Sequence, residues 1–275
     1  MAAPVSTIRL ASLTRCHTFN PRNLKYDQYT MWLKKLLDLR GDLSQVLIQP
    51  QFCVWLSGAM MKELAAEEDQ EGVVDIDDDD GDEDGDNPAA NTSNVSDVLT
   101  LHEPNALMRL VDLAVLFLLA EQPISPSPTI PDRIYSTPRI KKVMVPVPLE
   151  LKRAPSRKLA GQLLAKVLKT KIRAAKIQAV EQAQYLFTSS IYGPHQSQVT
   201  LVAAVGPYFS ITTVSVDSVS PPTGRRQLQV EEGWSDIMDV TSVSGGNELE
   251  ATRRTLLDLA KKYPFPSPVS SVSSQ

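Results

Sequence analysis

The sequence predicts an α/β protein, and three observations favour this class. Residues 26–39 and 157–187 place apolar side chains at helical spacing, whereas 141–152 and 199–205 have the character of strands. Helical and strand patterns alternate along the second half of the chain. A length of 275 residues is enough for a sizeable core in one large domain or two small ones.

Composition excludes several classes of protein. Two cysteines are too few for a disulfide scaffold or a cysteine-based zinc cluster. The longest apolar run, Leu113–Ala120, falls far short of the roughly 20 residues that span a bilayer. We therefore expect an intracellular protein of the nucleus or cytoplasm without a membrane partner. Residues 1–19 weakly resemble a mitochondrial transit peptide, but their composition also fits a disordered basic tail, which we favour.

The N-terminal third divides into a tail, a helical part and an acidic block. After a disordered tail over 1–22, residues 26–39 and 51–65 predict two amphipathic helices in an extension over 23–65. Residues 67–86 then contain 13 acids and no base. Such a block repels itself and buries little surface, so we expect a disordered acidic linker over 66–97.

A single α/β domain is predicted over 98–262, followed by a disordered tail over 263–275. Pro104 fits the first position of a helix that runs from Ala106 to about Ala120. A strand over 141–152 comes next, followed by 157–187, which is one long helix or two helices broken near Gly161. Two strands over 199–205 and 208–216 and a loop over 217–246 complete the order. Asn247 is the candidate N-cap of the last helix, with Glu250 three residues on.

Charged residues in the predicted strand 141–152 form the candidate site. Glu150 and Lys152 flank Leu151, and residues two apart on a strand point to the same face. Asp132 follows Pro131, and the 17 residues between Asp132 and Glu150 suffice for a strand, a turn and a return. Both carboxylates are therefore expected at one edge of the sheet.

Pro131-Asp132, the 17-residue gap and Glu150-Leu151-Lys152 resemble the PD-(D/E)XK nuclease signature. The stretches ELKRAP, AVEQAQYLF and VTLVAAVGPYF are similar to those of fungal proteins with this nuclease-like fold. The resemblance covers about residues 98–216. It implies a restriction-endonuclease-like core of α-β-β-β-α-β order, here with the N-terminal helical extension and the disordered acidic insert.

The resemblance also implies an activity, which is Mg²⁺-dependent hydrolysis of phosphodiester bonds in DNA or RNA. Asp132 and Glu150 would hold Mg²⁺, and Lys152 would position or activate the attacking water. A further acid on the preceding helix often completes such a site, and we expect it to be Glu103, with Asp112 as the alternative. Gln178 or Gln182 could contact metal-bound water or nucleic acid.

The charge distribution favours a nucleic-acid partner. The net charge is −4, yet the chain outside 67–86 carries 28 bases against 19 acids, which is +9. Residues 138–176 contain 12 bases and one acid, Glu150. The residues expected to contact nucleic acid are Arg153, Arg157, Lys158, Lys166, Lys169, Arg173, Gln178 and Gln182.

Two alternatives remain open from the sequence. Glu150 and Lys152 could be an ordinary salt-bridged pair on a solvent-facing strand, and Pro146 and Pro148 are unusual in a strand paired on both sides. The protein could also keep the nuclease fold without catalysis and act as a nucleic-acid-binding or protein-interaction module.

Overall fold

A computed structural model of the chain describes residues 11–12, 25–56, 107–121, 139–219 and 233–264. The helices in these ranges that are longer than one turn are α1 (Lys25–Arg40), α2 (Gly161–Thr188) and α3 (Val243–Lys262). The strands are β1 (Val46–Leu56), β2 (Leu107–Glu121), β3 (Arg139–Lys152), β4 (Gln198–Val205), β5 (Tyr208–Ser215) and β6 (Met238–Asp239).

The six strands form one mixed sheet in the order β1-β2-β3-β4-β5-β6. Neighbouring strands are antiparallel except for β3 and β4, which are parallel. Two parallel neighbours need a crossover connection, and α2 supplies it. The predicted α/β class is therefore confirmed.

Helices cover both faces of this sheet. On one face, α1 and α3 contribute to a large apolar core that contains Trp32, Leu36, Phe117, Leu149, Phe209 and Leu256. On the other face, α2 packs Tyr185 and Leu186 against the first strands and Ala179 and Ala183 against β4. A sheet covered on both sides buries the side chains of its central strands in both directions.

Trp32 of α1 links the first helix to the turn between β4 and β5. Its indole Nε1 donates a buried hydrogen bond of 2.7 Å to the carbonyl oxygen of Gly206. Its ring meets Phe209 edge-on, with centroids 5.5 Å apart. Gly206 has a positive φ of 60°, and a Cβ there would lie 2.7 Å from the Cβ of Ala154. The turn therefore requires glycine at this position.

Two helix predictions are wrong. Residues 51–56 of the predicted helix 51–65 lie in β1, and the predicted helix 106–120 is the strand β2. Along β2, Leu113 and Val115 join the core under α1 and α3, whereas Ala114 and Leu116 join the core under α2. A strand buried on both faces is apolar at most positions, so its pattern also satisfies helical spacing.

The remaining described elements agree closely with the sequence. The strands predicted at 141–152, 199–205 and 208–216 and the long helix at 157–187 are confirmed, with ends shifted by a few residues. The predicted cap Asn247 is wrong, because the last helix begins earlier. Ser242 is its N-cap and accepts a hydrogen bond of 3.0 Å from the amide of Gly245.

The pairing of β3 with its neighbours explains how this strand accommodates Pro146 and Pro148. β4 pairs only with the last four residues of β3, Leu149–Lys152. In the described part of the chain, the two prolines therefore lie where β3 has β2 as its partner strand. A missing amide hydrogen costs little at such an edge.

The predicted extension over 23–65 contributes α1 and β1, and β1 pairs with β2 in the same sheet as the rest of the fold. The predicted linker over 66–97 lies outside the described residues, as does most of both tails. Among the residues that the structure describes, no helix is long and apolar enough to cross a membrane.

Candidate active site

Two buried carboxylates lie side by side on neighbouring strands. Asp112 of β2 and Glu150 of β3 are each only 5% exposed. The antiparallel register that pairs Leu113 with Leu149 places Asp112 beside the C-terminal end of β3. Buried charged groups are costly unless they are paired and hydrogen-bonded, so their partners define the chemistry of the site.

The carboxylate of Asp112 is bound by the backbone of β3 and by the N-terminal part of α1. The amide of Leu151 donates to Oδ2 at 2.7 Å. The ammonium of Lys25 lies 2.8 Å from both carboxylate oxygens, and the hydroxyl of Tyr29 donates to Oδ1. Burial, followed by the hydrogen bond to Asp112, raises the pKa of Tyr29 above its ordinary value. The phenol therefore stays protonated and acts as a donor.

Glu150 is held by its own strand and by α2. The ammonium of Lys152 donates to Oε1 at 2.9 Å, and the amide nitrogen of Gln182 donates to Oε2 at 2.7 Å. Lys152 also donates to the side-chain oxygen of Gln178, one helical turn before Gln182. Two residues of one helix face thus support the Glu-Leu-Lys end of β3.

Burial is the largest cause that raises the pKa of Glu150, and the negative charge of Asp112 raises it further. The positive charges of Lys152 and Lys25 act in the opposite direction. The register of β2 with β3 places the two carboxylates on adjacent strands, where their negative charges repel each other. A divalent cation between them would relieve this repulsion.

Local strand geometry explains why Glu150 and Lys152 meet. Leu149 and Leu151 are fully buried in the apolar core, as the alternation along the strand predicts. The intervening Glu150 and the following Lys152 share the other side of the strand, where they form an ion pair. The contact between Glu150 and Lys152 therefore follows from the order of three consecutive residues on a strand.

The structure brings together Asp112, Glu150, Lys152, Gln178 and Gln182 from the residues considered in the sequence. Asp112 is the residue named above as the alternative to Glu103. Asp132 and Glu103 themselves lie outside the described residues.

Sequence reasoning missed Lys25 and Tyr29. Their spacing of four places both on one face of a helix. Nothing local marks that face as one that reaches Asp112, because 83 residues separate Tyr29 from it. Only the packing of α1 on the sheet reveals the contact.

The predicted nucleic-acid-binding residues fall into two groups. The exposed residues are Arg153, Lys158, Lys166, Lys169, Arg173 and Gln178, and Arg157 is half-buried. Gln182 is only 3% exposed, and its amide nitrogen donates to Glu150 and to the carbonyl oxygen of Leu110 at 3.0 Å. Gln182 therefore supports the carboxylate from inside the protein.

The donors at the site fit Mg²⁺, which takes oxygen ligands, often one or two carboxylates, and keeps several waters. Asp112 and Glu150 would supply the carboxylates. The side-chain oxygen of Gln182 is buried and has no hydrogen-bond partner within the described ranges, whereas its amide nitrogen faces Glu150. The same ranges contain no group of three or more His, Cys, Asp or Glu that could hold a metal ion.

No family model, curated protein or solved structure matches this chain. A functional assignment therefore rests on the chemistry of its own residues.

Replacing Glu150 with glutamine is expected to stabilise the protein near neutral pH. Because the pKa of Glu150 is raised from its ordinary 4.5, the folded protein binds a proton more tightly than the unfolded chain. Wild-type stability is therefore lost as pH rises from 4.5 through the folded pKa, and Glu150→Gln lacks this loss. Urea midpoints should show a gain that grows as the pH rises above about 4.5.

Asp258→Asn is the matched control, since Asp258 forms an exposed ion pair with Lys261 and should change little. If Glu150→Gln were instead destabilised at neutral pH, Glu150 and Lys152 would be a structural ion pair.

Proposed function

We propose that this protein is a Mg²⁺-dependent nuclease that hydrolyses phosphodiester bonds in DNA or RNA. The observation that carries the proposal is the convergence of two buried carboxylates, Asp112 and Glu150, with the amine of Lys152 on adjacent strands. Asp112 takes the metal-binding role that the nuclease resemblance implies for Asp132.

The order of the elements supports the proposal. The succession α1-β1-β2-β3-α2-β4 has the α-β-β-β-α-β order expected of a restriction-endonuclease-like core. Its β3 carries Glu-Leu-Lys at the end that pairs with β4, and the crossover helix α2 follows directly. Glu150 and Lys152 thus lie at the C-terminal end of a central strand.

The chemistry of the residues matches the needs of phosphodiester cleavage. Mg²⁺ bound by Asp112 and Glu150 would supply Lewis acidity at the phosphate and a water of lowered pKa. Lys152, with 26% of its side chain exposed, lies between the buried carboxylates and solvent. Its ammonium can therefore orient a water or neutralise charge on a phosphate oxygen.

The surface next to the site suits a polyanionic substrate. Arg153 directly follows Lys152, and Lys166, Lys169 and Arg173 are exposed along α2. Cationic side chains of this kind supply the phosphate contacts that dominate binding to nucleic acids.

A non-catalytic nucleic-acid-binding protein is the second candidate. Lys25 favours it, because its ammonium already contacts both oxygens of Asp112. A site neutralised by its own lysine could keep the fold and the basic surface without hydrolysis.

A cleavage assay on mixed DNA and RNA substrates tests the two candidates. The wild-type protein is expected to cleave in Mg²⁺ and not in a chelator, and Asp112→Asn should reduce the rate by about 100-fold or more. Asp258→Asn, which removes an exposed carboxylate on α3, is the control and should leave the rate unchanged. Binding without cleavage by the wild-type protein would favour the non-catalytic candidate instead.

A further inference from the structure

The first turn of α1 places a positive charge on one of the two carboxylates. The ammonium of Lys25 lies 2.8 Å from Oδ1 and 2.8 Å from Oδ2 of Asp112. Asp112 is almost completely buried, whereas the Lys25 side chain is 36% exposed. Lys25 therefore reaches from the surface into the site. Its charge neutralises a carboxylate that is almost inaccessible to solvent.

A metal ion and this ammonium would require the same region of space. Mg²⁺ contacts a carboxylate oxygen at about 2.0–2.1 Å, and a group that straddles both oxygens covers the side from which an ion approaches. The other sides of Asp112 are taken by the amide of Leu151 and the hydroxyl of Tyr29. Two cations at one carboxylate would also repel each other.

Lys25 can move away from its carboxylate more easily than Lys152 can. Lys25 is the first residue of α1, and its flexible four-carbon stem can turn into solvent while the helix stays in place. Lys152 is held by both Glu150 and Gln178. The two lysines of the site therefore differ in how firmly the protein holds them.

We propose that Lys25 is a tethered cation that competes with the divalent ion for Asp112. It neutralises Asp112 in the metal-free protein and is displaced into solvent when the ion binds. This inference rests on the proposed function, since it assigns Asp112 to a metal site. The first turn of α1 would thereby set the affinity of the site for the metal ion.

Binding of Mn²⁺ alone to the full chain, followed by the electron paramagnetic resonance signal of the free ion, tests the inference. Lys25→Gln should bind Mn²⁺ about tenfold more tightly, because one opposing charge at contact distance is removed. Lys25→Arg should bind more weakly than wild type, because a guanidinium engages a carboxylate with two donors. Lys34→Gln removes a lysine of the same helix that pairs with Asp38 and should have no effect.

Thermal unfolding supplies a readout that does not depend on catalysis. Without metal, Lys25→Gln should unfold at a lower temperature than wild type, since Asp112 loses its counter-charge. With Mn²⁺, its unfolding temperature should rise more than that of wild type.

The outcomes separate the inference from the proposed function. If wild type binds Mn²⁺ through Asp112 but Lys25→Gln binds equally or more weakly, the competition is wrong and the metal site stands. If neither wild type nor Lys25→Gln binds Mn²⁺ more tightly than Asp112→Asn does, both the competition and the metal-dependent function are wrong.

Discussion

Lys152→Ala is expected to lower the rate of Mg²⁺-dependent cleavage by about 10²- to 10⁴-fold, the range of a positioned proton-transfer or charge-stabilising group. Its ammonium lies 2.9 Å from Glu150 at the border between the buried carboxylates and solvent. Alanine removes the positive charge and leaves both carboxylates in place. Single-turnover cleavage rates at saturating Mg²⁺ provide the measurement.

A pH profile of Mn²⁺ binding tests the electrostatic effect of Lys152 on Glu150. The charge of Lys152 lowers the pKa of Glu150, against the raising effects of burial and Asp112. Without Lys152 the pKa of Glu150 rises further, so Mn²⁺ binding by the variant should need a higher pH than binding by wild type.

Lys261→Ala is the matched control for Lys152→Ala, because Lys261 forms an exposed ion pair with Asp258 on α3 and should leave the rate unchanged. Equal cleavage by wild type and Lys152→Ala would overturn the assignment of Lys152.

Trp32→Ala is expected to cost about 3–5 kcal/mol of folding free energy, the range for truncation of a buried aromatic side chain. Trp32 is fully buried between α1 and the sheet, where it packs edge-on against Phe209. Its truncation removes this packing, leaves a cavity and releases the carbonyl of Gly206 from its hydrogen bond. Urea unfolding at neutral pH measures the change.

Two further variants separate the contributions of Trp32. Trp55 on β1 is exposed, so Trp55→Ala should have a small effect on the free energy of unfolding. Trp32→Phe keeps a ring but loses the indole donor, and the unpaired Gly206 carbonyl should cost about 1–3 kcal/mol. A small effect of Trp32→Ala would mean that α1 contributes little to the core.

The elements predicted correctly are those whose pattern has one explanation. The helix α2 carries apolar residues on one face over 28 residues, well beyond the usual length of a strand. The strands β4 and β5 are rich in β-branched residues and are separated by Gly206-Pro207. By contrast, β2 is apolar on both faces, and helical spacing can be found in any such run.

The contacts of the candidate site also divide into local ones, which the sequence predicts, and long-range ones, which it does not. The spacing of Glu150, Leu151 and Lys152 places the carboxylate and the amine together through local strand geometry alone. Asp112 became recognisable as a strand residue at the site only once the register of β2 with β3 was known. Lys25 depends on still longer-range packing, because 87 residues separate it from Asp112.

The sequence by itself determined the α/β class, the pairing of Glu150 with Lys152 and the helix that follows them. These features arise from interactions between residues a few positions apart, where backbone geometry sets which side chains meet. Only the tertiary structure decided that Asp112 lies beside Glu150 and that Lys25 and Tyr29 of α1 contact Asp112. Those contacts depend on strand register and on the burial of one helix face, which join segments far apart in the chain.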